Sequence, residues 1–459
     1  MSIPPTFVAE EVRTPQPDDS PVRIPERIAG VERRQVVARA SLFMGLAHLT
    51  VLGLRWKGAA FALVEVAFLA SLPVIIDRIV GLVTLGTPQP TVPIKERDNS
   101  LFMMVDGVLV LAVVAVFAAV YAISIRSALA DYRVGARRAN TSARHQLSAI
   151  GSRAFPVLGL TPMVVLILFF VIVPLVFSAL VAFTNYSSPQ HIPPGNTVDW
   201  VGFDNFGSML GGDQTWTQAL VRVFIWTTVW AILAVATCYF GGMILAVVLH
   251  ESKIVIKPVF QAIFILPYAI PAVVSLLVWR NMLNGAFGAV NKTLLELGII
   301  DTAIPWLTEP NLARFMVVLI NLWCGFPYFM LLTMSAMTAI PQDVREAAAL
   351  DGATGVQRFR YVTLPLVLYQ TAPLIIMSFA MNFNNFGAIF FLTNGGPTVA
   401  DTTVTGAGAT DILVSWLYEI TIGLMRYNYG SVVAVMIFLV LAPFAIMQFR
   451  RTRSFKGEM

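Results

Sequence analysis

Two apolar stretches of the sequence each carry a stripe of polar side chains at helical spacing. On a helix that turns by 100° per residue, each stripe would occupy an arc of about 100°. The first stripe, within NLWCGFPY, consists of Asn321, Cys324, Gly325 and Tyr328. The second, within SFAMNFNNF, has the same spacing and consists of Ser378, Met381, Asn382 and Asn385. An unpaired amide in an apolar medium costs about 1–3 kcal/mol or more, so these side chains need partners, water or a ligand.

A sugar would satisfy such stripes, because its hydroxyls need amide and phenol partners while aromatic rings cover its apolar faces. The alternative is that the amides bond neighbouring helices, as polar residues often do between membrane helices. A single asparagine would favour that alternative. The matched stripes on two stretches favour a binding role.

A third feature is the polar segment 346–365, EAAALDGATGVQRFRYVTLP, which lies between two long apolar runs. Its Ala-rich start favours a helix, and Gly352 is a natural residue for ending one. Thr354 and Gln357 have the spacing of a capping box, which would begin a second short helix before Pro365 leads into the next span. The segment therefore predicts helix, turn and helix beside a membrane.

The composition shows which elements must position these residues. The chain has 459 residues, of which 57% are hydrophobic and 12% charged, against about 25% charged in soluble domains. A spanning helix needs about 20 apolar residues, and this indicates an all-α polytopic membrane protein. Eight candidate spans lie near residues 58–82, 101–124, 156–185, 221–249, 258–280, 313–338, 367–394 and 429–449.

The distribution of basic residues predicts the orientation, because Lys and Arg favour the cytoplasmic side. The link after the second span and the C-terminal tail are rich in arginine, whereas residues 186–216 contain no Lys or Arg. Both termini are therefore expected in the cytoplasm of a multi-pass protein of the cell (inner) membrane. This orientation also places residues 346–365 in the cytoplasm.

Three regions are predicted along the chain. Residues 1–57 are expected to form a cytoplasmic tail, mobile over its first 40 residues, with an interfacial or re-entrant segment near 41–57. Residues 58–153 would hold two accessory spans and a basic link. Residues 154–459 would form a six-helix core that includes the cytoplasmic loop 341–365.

Charged residues in or near the spans have a structural interpretation. Four of them in the first two spans are expected to pair locally, namely Glu65, Asp77, Arg78 and Asp106. Arg222 and Arg280 are expected to be anchors at span ends. Cys238 and Cys324 fall within spans, so the sequence predicts neither a disulfide nor a metal site.

The order of residues in the polar segment resembles the EAA loop of ABC importer permeases. Glu346-Ala347-Ala348 is followed after three residues by Gly352 and then by Val-x-Leu-Pro, with Val362 as the one departure from isoleucine. The resemblance implies that this loop docks on a separate ATPase subunit, with Glu346 making polar contacts and Gly352 permitting the turn. The implied coupling residues are Glu346, Ala347, Ala348, Gly352, Leu364 and Pro365.

Further motifs are similar to the larger permease subunit of maltose-type importers, the MalF-like family. These motifs are NLW-GFPY, SFA-NFNNF, LTNGGP and TDILV. The resemblance implies that the two polar stripes line an oligosaccharide site within the membrane. Cys324 and Met381 depart from the aliphatic and aromatic residues of the family. The loop before the fourth span is also short, so that a binding protein would dock on short loops.

The predicted function is that of a permease subunit for maltose or maltodextrin. The implied partners are a second, MalG-like permease, two MalK-like ATPases and an extracytoplasmic sugar-binding protein, with no nucleic acid. The chain has no GxxxxGK[ST] motif, so it is expected not to be an enzyme and to have no cofactor of its own, ATP and Mg being bound by the ATPases.

Three alternatives remain open at this stage. A permease of the same family could carry trehalose, another sugar or a glycerol phosphate, although a phosphate would favour Lys or Arg in the stripes. An ion-coupled carrier would favour embedded acids or broken helices in paired repeats. A membrane glycosyltransferase would favour clustered acids on one loop.

Overall fold

The computed structural model of the chain describes residues 31–89, 91–93, 96–137, 159–191, 197–251 and 255–451. Within these ranges the structure is helical, and the one β pairing is an isolated bridge between Thr184 and Trp200. The described residues form two compact units, residues 31–86 with 100–174 and residues 87–99 with 175–451. Residues 1–30 of the predicted tail, and the predicted boundary at residues 153–154, lie outside the described ranges.

Seven helices in these ranges are long and apolar enough to cross a membrane. They are α3 (Arg55–Thr84), α4 (Ser100–Arg137), α5 (Gly159–Val181), α7 (Gln214–Glu251), α11 (Pro310–Thr338), α13 (Gly355–Phe383) and α17 (Tyr427–Arg451). An eighth candidate is a bent pair, α8 (Lys257–Ala269) and α9 (Ala272–Met282). The prediction of an all-α protein with about eight spans is confirmed.

Shorter helices connect or flank the spans. In chain order they are α1 (Arg33–Leu42), α2 (Leu46–Thr50), α6 (Asp204–Gly207), α10 (Ala289–Glu296), α12 (Gln342–Leu350), α14 (Phe386–Leu392), α15 (Thr402–Thr405) and α16 (Leu413–Tyr418).

The fifth span, predicted as one helix over 258–280, is instead broken. Helices α8 and α9 meet at an angle of 88°. Ile270, between them, is extended with φ −84° and ψ 135°. It precedes Pro271, and a residue before proline is pushed out of the helical region by the proline ring.

The seventh span, predicted over 367–394, also differs from a single helix. Helix α13 ends at Phe383, and α14 begins at Phe386. Asn384 lies at the break with φ −114° and ψ 25°. Asparagine side chains compete with the helical backbone for hydrogen bonds, which favours ending a helix here.

The short helix predicted before the seventh span is not separate from it. Helix α13 starts at Gly355 and runs without interruption into the span. Its second turn, Phe359–Thr363, is a π turn in which the amide of Leu364 bonds the carbonyl of Phe359. Pro365 has no N–H to bond the preceding turn, so a widened turn accommodates it.

The N-terminal unit contains helical structure where an unstructured tail was predicted. Helix α1 packs against α4: the hydroxyl of Tyr132 donates to Val31 O at 2.7 Å and that of Tyr121 to Ser41 O at 2.6 Å. These contacts run in opposite directions along the two helices, so α1 is antiparallel to α4. The prediction of a mobile tail is therefore wrong for residues 33–40. These residues belong to α1, and Val36 of that helix is part of a buried hydrophobic cluster.

Three of the four charges of the first two spans pair locally, as expected, while Glu65 bonds a backbone amide instead. The guanidinium of Arg78 lies 2.9 Å from the carboxylate of Asp106 and 3.8 Å from that of Asp77. Glu65 is buried and accepts a hydrogen bond from the amide of Met44, in the turn between α1 and α2. These groups therefore have a structural explanation.

In the second unit, α7 is the helix around which the others pack. Both α11 and α13 lie along it, and Trp230 of α7 is fully buried in a cluster with Ile320 and Ile389. A second cluster around Trp416 joins α7, α16 and α17. Helix α7 thus contacts both helices that carry the polar stripes.

Candidate functional site

The first stripe faces α7 at Cys238. The side-chain amide of Asn321 and the Cys238 sulfur lie 3.4 Å apart, and the same sulfur lies 3.4 Å from Asn321 O. A Cβ added at Gly325 would come within 2.7 Å of that sulfur. Cys324, next to them, is half-buried against the cluster that contains Trp230. Glycine at position 325 therefore allows α11 and α7 to approach closely.

Tyr328 ends the first stripe beside the break of the fifth span. Its half-buried ring lies 5.1 Å from that of Phe329 and 6.3 Å from that of Tyr268. Tyr268 is 55% exposed and lies at the end of α8, two residues before Ile270. Tyr268 was not among the predicted residues because 258–280 was expected to be one helix, although Pro267 and Pro271 signalled the break.

Three residues of the second stripe lie on the last turns of α13. The side-chain amide of Asn382 donates to Ser378 O at 2.9 Å, within the same helix. The carbonyl of Asn382 accepts from the indole of Trp230 at 3.0 Å. Met381 is 67% exposed. The backbone of this stripe is thus attached to α7, and Met381 is free to contact a ligand or a partner.

Asn385, the fourth member, does not continue that helical arc. It is the N-cap of α14, and its side-chain oxygen accepts from the amide of Ala388 at 3.2 Å. The predicted i, i+3, i+4, i+7 pattern is therefore wrong at its last position, because the helix ends at Phe383. Asn385 still lies one turn of chain from Asn382, whose carbonyl accepts its amide at 3.1 Å.

The two stripes contact α7 at different positions along its axis. Trp230 and Cys238 are eight residues apart on α7, which corresponds to about 12 Å along the axis. Tyr328 and Ile375 pack against one buried cluster that includes Cys238 and Tyr239. In this single chain the amides of Asn321, Asn382 and Asn385 each have an internal partner, and a role in binding sugar stays a prediction.

The predicted coupling segment, residues 341–365, adopts the expected helix and turn. Helix α12 ends at Leu350, and Gly352 has φ +73°, a left-handed conformation that glycine adopts without steric cost. The amide of Ala353 bonds Ala348 O at 3.1 Å and closes the helix end. The predicted capping box is confirmed, since Thr354 N lies 2.8 Å from the side-chain oxygen of Gln357.

The coupling segment presents both polar and apolar groups to its surroundings. Glu346 is exposed, and its carboxylate accepts from the side-chain amide of Gln342 at 2.6 Å. In the same segment, Leu350 is 89% exposed, Val356 76% and Tyr361 71%. Ala347, Gly352 and Pro365 are also exposed, while Ala348 and Leu364 are partly covered. Such an apolar surface on a short, rigid element suits contact with another protein.

The loop between α14 and α16 is fastened to two spans by arginines. Arg222 of α7 contacts the Asp401 carboxylate at 2.5 Å and donates to Ala407 O at 3.1 Å. Arg314 of α11 donates to Ala409 O at 2.8 Å. The expectation that Arg222 is an anchor at a span end is therefore wrong, because a carboxylate 179 residues later in the chain pairs with it.

Asp411 is a buried carboxyl that holds this loop by hydrogen bonds. It is 5% exposed, and it accepts from the Ser415 hydroxyl at 2.6 Å and from the Gly408 amide at 2.8 Å. The pKa of Asp411 is raised to about 6, chiefly by burial and to a smaller extent by Glu419, against the lowering effects of the two hydrogen bonds and of Arg222. Sequence reasoning had no signal for this carboxyl beyond its place in the TDILV motif.

An apolar groove of ≈ 430 Å³ lies between α7, α9 and α11. Its lining includes Gly241, Trp279 and Trp323. The α11 residues that line it lie on the side of the helix opposite the first stripe. Because the lining is almost entirely apolar, this groove offers a sugar few hydrogen-bonding partners.

Among the described residues, no group of three or more His, Cys, Asp or Glu side chains could hold a metal ion.

Comparison with known proteins gives one family over the second half of the chain. Residues 239–452 match the family described as binding-protein-dependent transport system inner membrane component. This range contains both polar stripes and the coupling segment.

Curated relatives extend the similarity to nearly the whole chain. The galactooligosaccharides transport system permease GanP of Bacillus subtilis is 35% identical over 93% of this chain and 100% of its own length. The maltodextrin permease MdxF of the same organism is 34% identical over 88% of this chain and 92% of its own. The maltose/maltodextrin permease MalF of Klebsiella aerogenes is 39% identical over 58% of this chain and 51% of its own.

Among solved structures, a bacterial ABC transporter that imports the acidic polysaccharide alginate has a chain with the same fold. Its TM-score is 0.53 at 20% identity, over 67% of this chain and 100% of that chain. The likeness concerns the fold alone.

Proposed function

Because this chain belongs to the family of inner membrane components of binding-protein-dependent transport systems, we propose that it is a permease subunit that imports maltodextrin-type oligosaccharides. Membership makes it a multi-pass transport subunit. The observation that carries the substrate class is the similarity, over almost the entire chain, to permeases that are named for oligosaccharides.

The two polar stripes are the proposed sugar-binding surface. Tyr328 and Tyr268 would supply aromatic rings beside the break of the fifth span, where the tyrosine at the end of α8 is more than half exposed. Asn321, Asn382 and Asn385 would exchange their present internal partners for sugar hydroxyls, which costs less than leaving a buried amide unpaired. Cys324 and Met381 would tune the length of sugar accepted.

The proposed partners follow from the coupling segment. A MalK-like ATPase would receive Glu346 and the apolar residues Leu350, Val356 and Tyr361. A second, MalG-like permease would complete the pathway, and an external binding protein would deliver the sugar. With both termini in the cytoplasm, the basic ends of the spans would face the ATPases, and alternating access would follow their closure.

The test of coupling is a charge reversal at the exposed carboxylate of α12. Glu346→Lys should abolish uptake of labelled maltotriose in cells that express the complete importer. It should also reduce the amount of ATPase that co-purifies with the tagged chain, while binding of sugar to the binding protein is unchanged.

A matched control is Asp301→Lys, which reverses an exposed charge in the loop between α10 and α11. We expect uptake and co-purification to remain near those of the unmodified chain. Full uptake in the Glu346→Lys variant would contradict the coupling assignment. If the unmodified chain purified without any ATPase, the proposal of an importer subunit would be contradicted.

A second candidate substrate is favoured by one observation, the similarity to a permease named for galactooligosaccharides. Competition between unlabelled and labelled sugars in an uptake assay distinguishes the two candidate substrates. Unlabelled maltotriose should suppress uptake of labelled maltotriose at a concentration at which a galactotriose has little effect, and the opposite order would assign the galactoside.

A further inference from the structure

One end of the N-terminal unit carries a concentration of exposed arginines. They belong to three helices, α1, α3 and α4. The six exposed arginines, which we name the arginine collar, are Arg33, Arg34, Arg39, Arg55, Arg126 and Arg133.

Contacts between these helices place the arginines toward a common end of the unit. The bond from Tyr132 to Val31 O sets the start of α1 beside the end of α4. The ammonium of Lys57 lies 2.6 Å from the carboxylate of Asp131, which sets the start of α3 beside the same end. The collar is therefore carried on packed helices, with spacings fixed by these contacts.

Among the residues that the structure describes, the acids near the collar do not neutralise it. Asp131 is already engaged by Lys57 and lies 3.5 Å from His48, and Glu65 is buried in its bond to Met44. None of the six arginines forms an ion pair with any residue that the structure describes, and Arg39 has only a contact of 3.4 Å with the Thr50 hydroxyl. Glu32 is the exposed acid beside them.

Apolar side chains next to the collar indicate what it meets. Trp56, which follows Arg55, is 91% exposed, and Leu42 at the end of α1 is 76% exposed. Tryptophan is enriched at the level of lipid headgroups, where its ring is apolar and its N–H is polar. Guanidinium groups bind phosphate with two parallel hydrogen bonds, which a lysine ammonium does not.

We propose that the arginine collar is a binding site for the phosphate groups of anionic phospholipids, with Trp56 inserted beside it at the headgroup level. Basic residues at span ends orient membrane proteins in general. The collar goes further, because its charges lie on three helices that pack together and all of them are guanidinium groups, which suit phosphate. The proposal is independent of the sugar that the protein carries.

The test is a lipid titration of the full-length chain in mild detergent. Phosphatidylglycerol should raise the melting temperature in a saturable manner, whereas phosphatidylcholine at the same mole fraction should have little effect. Arg33→Gln/Arg34→Gln should raise the mole fraction needed for half of the shift about tenfold, since each arginine near an anionic surface contributes substantially to binding.

The matched control removes two exposed cations from the other unit. Arg280→Gln/Lys292→Gln should keep the full response to phosphatidylglycerol. Equal stabilisation by both lipids, or an unchanged titration of the Arg33→Gln/Arg34→Gln variant, would overturn the proposal. Inorganic phosphate at the same phosphate concentration should not shift the melting temperature, and an equal shift would assign a free anion in place of a lipid.

Two further measurements do not depend on how the arginine variants fold. Raising NaCl from about 0.1 M to about 1 M shortens the Debye length from about 10 Å to 3 Å and should weaken the response of the unmodified chain to phosphatidylglycerol. Phospholipids brominated near the headgroup should quench part of the tryptophan fluorescence, and that part should be lost in Trp56→Phe. Quenching that is identical in Trp56→Phe would remove Trp56 from the site.

Discussion

At the scale of single residues, the same residue type serves different purposes within a few positions. The Asn382 side chain donates to its own helix, and the Asn382 carbonyl accepts from the indole of Trp230. Asn385 instead caps the next helix. Gly325 is needed for a close approach between helices, while Gly352 is needed for its positive φ. These differences come from neighbours and backbone conformation, which the sequence pattern alone does not contain.

Gly325→Ala should destabilise the protein, because the new Cβ would lie 2.7 Å from the sulfur of Cys238. Overpacking of this kind costs about 1–3 kcal/mol. The second substitution Cys238→Ala removes that sulfur, so the double variant should recover most of the lost thermal stability. Thermal unfolding of the two single variants and the double variant measures the coupling, and purely additive effects would show that the contact is not responsible.

Asp411→Asn should stabilise the protein at neutral pH. A carboxyl whose pKa is raised by folding contributes stability below its ordinary pKa, and that contribution is lost as pH rises through about 6. The asparagine amide can accept from Gly408 N and donate to the Ser415 hydroxyl, so both bonds can persist without a buried charge. The gain at pH 7.5 should be at most about 3 kcal/mol and should disappear near pH 4.

Melting temperatures at several pH values check this expectation. Asp401→Asn is the matched control, since it removes the partner of Arg222 and should lower stability. An Asp411→Asn chain that melts below the unmodified chain at pH 7.5 would show that the ionised carboxylate is needed.

At the scale of elements, the coupling segment from Gly355 onward and the seventh span form one continuous helix. Helix α13 continues from the turn at Gly352 into the span through a π turn, whereas a separate short helix before the span was predicted. A displacement at Gly352 can therefore reach the second stripe along a single helix. The broken fifth span places its bend close to Tyr328 of the first stripe.

Gly352→Ala should weaken the end of α12, because alanine at φ +73° costs about 1–2 kcal/mol. Gly355→Ala is the matched control: it lies three residues later, has no positive φ, and has open space around its Cβ position. Hydrogen exchange of the α12 amides should become faster in Gly352→Ala and should not become faster in Gly355→Ala. The same exchange in both variants would contradict the role of the turn.

At the scale of the whole molecule, the orientation across the membrane determines which partners each surface can meet. The basic residues predict that the coupling segment is cytoplasmic and that the loop containing α10 is outside. Val356 and Lys292, one in each region, are both well exposed. The two native cysteines are buried or half-buried, so engineered cysteines can report on access.

With Cys238 and Cys324 replaced by alanine, Lys292→Cys should react with a membrane-impermeant maleimide in intact cells. Val356→Cys should react only after the membrane is opened. Labelling is read on the purified chain by mass. If Val356→Cys were labelled in intact cells, the orientation would be reversed and an ATPase could not dock on α12.

The sequence by itself determined the class of protein, the number of spans and the helical start of the coupling segment. These depend on composition, on apolar length and on short-range signals such as the Thr354–Gln357 capping box, all of which act within a few residues. The eight spans and the turn at Gly352 were predictable for that reason. The pairing of Arg78 with Asp106 was also within reach, since both lie on adjacent spans.

Only the tertiary structure decided where the fifth and seventh spans break, which partners the stripe residues have, and how the loop between α14 and α16 is held. Arg222 bonds Asp401, Trp230 bonds Asn382 O, and Gly325 packs on Cys238, across 179, 152 and 87 residues of sequence respectively. Periodicity reports which face a residue occupies on its own helix. It carries no information on which other helix meets that face, because packing selects the partner.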